Sequence, residues 1–100
     1  MKIKTIGYIG IDAGLCWIGD PCYVLPDDAS QRDQVKDWSK FCIEMKGSKH
    51  KSFNYKMGHE GLGVCVSTGY GDGEYPVKAT FNNEGRVASV TILFIEEEQT

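Results

Sequence analysis

The sequence predicts an α+β fold: a mostly antiparallel β-sheet in the order β-β-α-β-β-β-β, with one amphipathic helix packed on one face. Three observations predict it. Residues 52–57, 62–67, 75–81 and 88–94 alternate apolar with polar or small side chains, the period of a strand with one buried face. Within residues 30–45, Val35, Trp38, Cys42 and Met45 recur at steps of three and four, the period of one helical face. Clusters of Gly, Asn, Asp and Pro punctuate these runs. Several strands beside a single helix form an α+β layer arrangement. A chain of 100 residues makes a single compact domain, 1–100, with a thin core.

Taken in order, residues 2–11 carry Ile3, Ile6, Tyr8, Ile9 and Ile11, and this β-branched enrichment predicts a strand. Asp12-Ala13-Gly14 reads as a turn into a short strand at 15–18, so the first two strands are expected to form a tight hairpin. Gly19-Asp20-Pro21 stops the second strand, because Asp before Pro starts a turn and its carboxylate accepts nearby backbone N–H groups. Ser30 is the expected helix N-cap, with Asp33 three residues on. Asp33 and Asp37 lie toward the positive end of the helix dipole and Lys40 and Lys46 toward the other, and Gly47 stands at the C′ position. The spacing assigns Trp38 to the core rather than to ligand stacking. After a basic loop at 47–51, strands 52–57 and 62–67 form a hairpin across Gly58-His59-Glu60-Gly61. The closing hairpin turns at Asn82-Asn83-Glu84-Gly85, with Gly85 left-handed in a type I turn plus G1 bulge.

Charge and composition exclude several functions. A net charge of −3 argues against duplex nucleic acid, which needs clustered Lys and Arg to neutralise phosphates. No apolar run approaches the length of a transmembrane helix, and residues 1–8 lack a signal-peptide h-region, so a cytoplasmic location is expected. Cys16, Cys22, Cys42 and Cys65 show no C-x-x-C spacing and are expected as free core thiols. His59 with Cys16, Cys22 or Cys65 lacks the paired spacing of structural zinc, so no metal ligand is assigned.

Residues 67–77, S-T-G-Y-G-D-G-E-Y-P-V, carry the strongest local signal. So many glycines are costly to order, and a plain hairpin needs only a few loop residues. The stretch is expected to build a backbone-lined pocket rim or a bulged crossing between strands. Neither a P-loop nor a dinucleotide G-x-G-x-x-G occurs. Successive glycine N–H groups nevertheless make an anion-binding nest. Candidate ligand-binding residues are therefore Ser67, Gly69, Tyr70, Gly71, Asp72 and Tyr75, joined by Lys46, Lys49 and Lys51 as counter-charge and by Asp20 and Tyr23 from the turn at 20–23. The plain alternative makes the lysines a solvated loop and the tyrosines core or edge groups. Asp20 and Asp72 are the carboxylates that a small hydrolase would use, but turn formation already accounts for both. No G-x-S-x-G elbow is present, and no catalytic residue or cofactor is assigned.

Trp17-Ile18-Gly19-Asp20-Pro21-Cys22-Tyr23, the stretch at 67–77 and the closing hairpin through Phe94 together resemble a family of small bacterial and phage proteins. Those proteins carry G-D-P-C-Y and S-x-G-Y-G-D-G-x-Y-P-V. The resemblance implies a compact β-rich fold and a phage or bacterial cytoplasmic origin. It carries over no catalytic residue. The expected function is non-enzymatic binding of a small anionic, nucleotide-derived ligand, in one version as a phage sponge for a host immune signalling nucleotide. The alternative is a protein-interaction module. Residues 87–95 are apolar on both faces, which predicts burial on both sides or a partner, most simply in a two-fold homodimer.

Overall fold

The alternating runs become six strands divided between two antiparallel sheets. The computed structural model describes residues 1–24, 38–55, 57–69 and 72–95. In chain order they form β1 (Lys2–Ile11), β2 (Leu15–Gly19), a single 3-10 turn (Pro21–Tyr23), α1 (Trp38–Met45), β3 (His50–Asn54), β4 (Glu60–Ser67), β5 (Gly73–Phe81) and β6 (Val87–Ile92). The α+β class and the element order are those the sequence predicts. The strands assemble as β1-β5-β6 and β2-β4-β3. Internal contacts divide the chain correspondingly, into Met1–Gly14 with Thr68–Thr100 and into Leu15–Ser67. No helix among the described residues is long and apolar enough to cross a membrane.

The expected hairpin of the first two strands does not form. β1 has 10 residues and β5 has 9, so they pair along nearly their whole length, from Lys2 opposite Phe81 to Ile11 opposite Gly73. β2 has only 5 residues and pairs with β4 instead. The turn signal at residues 12–14 was local, whereas the choice of partner is not.

In the Leu15–Ser67 unit, β4 lies between β2 and β3. Trp17, Cys65 and Lys51 stand in one row across this sheet, and Gly19, Gly63 and Phe53 in the next row of the same face. α1 covers that face. Phe41 stacks on Phe53 with ring centroids 5.2 Å apart and meets Trp17 edge-on at 6.1 Å. Phe41, Met45, Phe53, Leu62 and Cys65 form the buried cluster. Each fully buried aromatic or aliphatic side chain contributes about 1.5–3 kcal/mol. The two glycines leave room for the indole. A Cβ on Gly19 would lie 2.7 Å from Trp17 Nε1, and one on Gly63 would overlap the Trp17 ring.

Three expectations change in this unit. Trp38 is 58% exposed and stacks on Phe41 at 5.8 Å instead of entering the core. β3 ends at Asn54, so Tyr55 and the exposed Met57 lie beyond it. Cys16 and Cys65 are buried, but Cys22 is exposed, because the 3-10 turn buries none of its residues. Ser30, Asp33, Val35 and Asp37 of the expected helix lie outside the described residues.

In the other unit, β5 is central. A bulge between Thr5 and Gly7 interrupts its pairing with β1, and another at Phe81 its pairing with β6. The turn joining β5 and β6 is the one the sequence predicts. Gly85 has φ 80°, and its N–H donates to the Asn82 carbonyl at 3.0 Å. The Asn82 side-chain oxygen accepts from the N–H groups of Glu84 at 2.9 Å and Arg86 at 3.0 Å. Ile11, Thr68 and Ala79 are buried here.

Candidate functional site

Asp20 follows the last residue of β2 and is extended, with φ −73° and ψ 124°. Its carboxylate accepts the Cys22 N–H at 3.0 Å, and its carbonyl accepts the Tyr23 N–H at 3.2 Å. Pro21 suits the first position of the turn because its missing N–H would have had no partner there. The Cys22 N–H bond, reinforced by the Cys22 thiol, holds the Asp20 carboxyl below the ordinary carboxylate range. In return, partial desolvation together with the Asp20 hydrogen bond and charge pushes the Cys22 thiol up. An exposed thiol kept protonated in this way is a poor nucleophile at neutral pH.

Tyr23 packs against the β3–β4 connection. Its ring meets Tyr55 edge-on at 5.2 Å, and Tyr55 in turn lies 4.7 Å from the His59 ring. The backbone closes the same corner, with Tyr55 N–H donating to the His59 carbonyl at 2.9 Å. The Tyr23 hydroxyl is bonded to Tyr55, and this bond with the repulsion between the two phenolates pushes Tyr23 up to about 12. Tyr55 and His59 were missed as neighbours of the 20–23 turn. Tyr55 reads as one more step of strand alternation, and nothing local announces its partner.

The register separates the sequence-predicted residues of this unit into two groups. Gly19 lies opposite Gly63, whereas Leu15 lies opposite Ser67. The four residue steps from one row to the other span about 13 Å of strand. Asp20 and Tyr23 therefore sit at one end of the sheet. Ser67 sits at the other, where its N–H donates to the Lys49 carbonyl at 2.8 Å. The basic loop is thereby fixed beside Ser67, with His50 opposite Val66 and Lys51 opposite Cys65. Lys46, Lys49 and Lys51 are all exposed, and the Lys51 ammonium lies 5.9 Å from the centre of the Phe53 ring.

The remaining candidates belong to the other unit. Tyr70 and Gly71 lie outside the described residues. Gly69 has φ 87°, and its open side faces Ile95, whose Cδ1 would lie 2.5 Å from an added Cβ. Tyr75 meets Phe94 edge-on at 5.3 Å. Both ends of the glycine stretch thus receive side chains from the segment after β6. Asp72 is exposed just before β5.

No protein-family model matches the chain, and no curated protein or solved structure matches it.

Proposed function

We propose that the chain is a non-enzymatic binding protein for a small anionic, nucleotide-derived ligand, held at the basic edge of the β2-β4-β3 sheet. The carrying observation is the 2.8 Å backbone hydrogen bond from Ser67 to Lys49, which together with the β3–β4 register sets Lys49 and Lys51 beside Ser67 and Cys65 at one end of that sheet, three residues along the chain from Lys46. Ammonium groups fixed on a strand edge and its adjoining turn recognise phosphate as point charges. Trp38 supplies an indole face, exposed on the same unit, on which a base stacks. The chemistry of the 20–23 turn favours binding over catalysis: the Asp20 carboxylate is occupied as a cap and the Cys22 thiol is held protonated. In the phage version, supported by the resemblance of the two motifs, the protein sequesters a host signalling nucleotide in the cytoplasm.

The test is thermal unfolding with cyclic dinucleotides, ADP-ribose derivatives and mononucleotides, followed by mass spectrometry of material released on heat denaturation. A ligand at 100-fold its dissociation constant adds about 2.7 kcal/mol of stability. The expected result is a shift with at least one nucleotide class that is lost in the Lys49→Glu, Lys51→Glu double variant. Trp38→Ala is expected to abolish the accompanying change in tryptophan fluorescence. No shift with any class, and nothing released from the purified protein, would rule out the nucleotide assignment. Recovery of a chemically altered ligand would make the protein an enzyme.

A further inference from the structure

β6 is an edge strand. Among the described residues it pairs with β5 on one side only, so alternate residues turn their N–H and C=O groups toward the place a further strand would take. Such edges are usually guarded by charge or proline. Residues 87–95 contain neither. The opposite edge, β1, is guarded by Lys2, Lys4 and the bulge between Thr5 and Gly7. Val87, Val90 and Leu93 are 56%, 55% and 58% exposed, so the unguarded edge is apolar as well as unpaired among the described residues. What such an edge accepts is a strand rather than a generic apolar surface.

We infer that β6 pairs antiparallel with β6 of a second copy, about a two-fold axis passing through Val90. The faces set by the register of β6 on β5 make the strand complementary to itself. Val90 lies opposite Ala79 on one face, and Ser89 and Thr91 lie opposite Thr80 and Lys78 on the other. A two-fold axis normal to the sheet keeps each face continuous across the junction. Centred on Val90, it sets Val90 against Val90 and Ser89 against Thr91 in both directions. Apolar groups meet apolar groups, hydroxyls meet hydroxyls, and no like charges oppose one another. Moving the axis to lie between Ser89 and Val90 would oppose residues from different faces, which a pleated sheet does not allow. Moving it to Thr91 would set Ser89 against Leu93. The dimer is isologous and closed, and its six-stranded sheet runs β1-β5-β6-β6-β5-β1.

Sedimentation velocity of the full chain over a range of micromolar concentrations tests this pairing. A dimer is expected, and Val90→Lys, which opposes two ammonium groups at the axis, is expected to give a folded monomer. Ile18→Lys, an exposed position on the other sheet, is expected to leave the dimer intact. A covalent test holds even if Val90→Lys impairs folding. In a Cys22→Ser background, Val90→Cys places two Cβ atoms within disulfide reach across the axis. Mild oxidation is then expected to link most of the protein as a dimer. Val87→Cys, opposed to Leu93, is expected to link far less. A monomer at every concentration, a dimer indifferent to Val90→Lys, or equal linking by the two cysteines would overturn the inference.

Discussion

The Tyr23 hydroxyl sets the alkaline limit of the 20–23 turn. Its hydrogen bond to Tyr55 raises the phenol from 10.0 to about 12. A folded-state pKa raised above the unfolded one contributes stability that is complete below pH 10 and lost as pH rises toward 12. Tyr55→Phe removes the acceptor. Ultraviolet titration of the four tyrosines left in the variant should then show the Tyr23 phenol moved back toward 10, and the alkaline loss of stability should shrink. A phenol still titrating at about 12 in the variant would mean that Tyr23 does not donate to Tyr55. Asp20 acts in the opposite direction. Its depressed carboxyl contributes above the ordinary carboxylate pKa, and that contribution is lost as pH falls through the folded value. The turn thus has a protonation limit on each side of neutrality, set by residues whose type and order were plain in the sequence. The Tyr55 partner was not plain, because a contact across thirty-odd positions leaves no periodic trace.

Among the elements, legibility follows the range of the interaction. The β5–β6 hairpin was fully legible, since Asn82 and Gly85 specify its turn within four residues. Asn82→Ala removes two side-chain acceptor bonds to backbone N–H groups and should cost about 1 kcal/mol. Gly85→Ala forces a Cβ into the left-handed region at φ 80° and should cost about as much. Chemical denaturation of both variants checks these magnitudes, with Asn82→Asp expected to retain most of the stability because it keeps the acceptor. If Asn82→Ala is neutral, the turn is held by the strands rather than holding them. The β3–β4 hairpin was legible as a pairing but not in its bounds, since β3 starts at His50 and ends at Asn54 rather than spanning 52–57, and its register is what carries Lys49 to Ser67. The partner of β1 was not legible. Its hydrophobic pattern describes a strand but not which strand it joins, and β5 lies more than sixty residues away. Trp38 fails differently. Its helical spacing puts it on the stripe of Met45, but the sheet face that α1 covers is already filled by Trp17, Phe41 and Phe53.

For the whole molecule, the two sheets differ in how much they bury. The Leu15–Ser67 unit has a connected cluster of Phe41, Met45, Phe53, Leu62 and Cys65. Among the described residues of the other unit, only Ile11, Thr68 and Ala79 are buried, and the sheet leaves β6 exposed over most of its length. Local opening follows buried apolar contact, so β6 amides should exchange with solvent faster than those of β4 in a monomer. Pairing across Val90 changes that balance by mass action, because anything that binds the closed form and not the open one protects it in proportion to its concentration. Hydrogen exchange followed at increasing protein concentration should therefore slow selectively at β6, while β4 amides stay constant. The Val90→Lys chain should show fast β6 exchange at every concentration. If β6 protection proves independent of concentration while the mass remains that of a dimer, the two copies meet through another surface and β6 is an edge in the assembly as well.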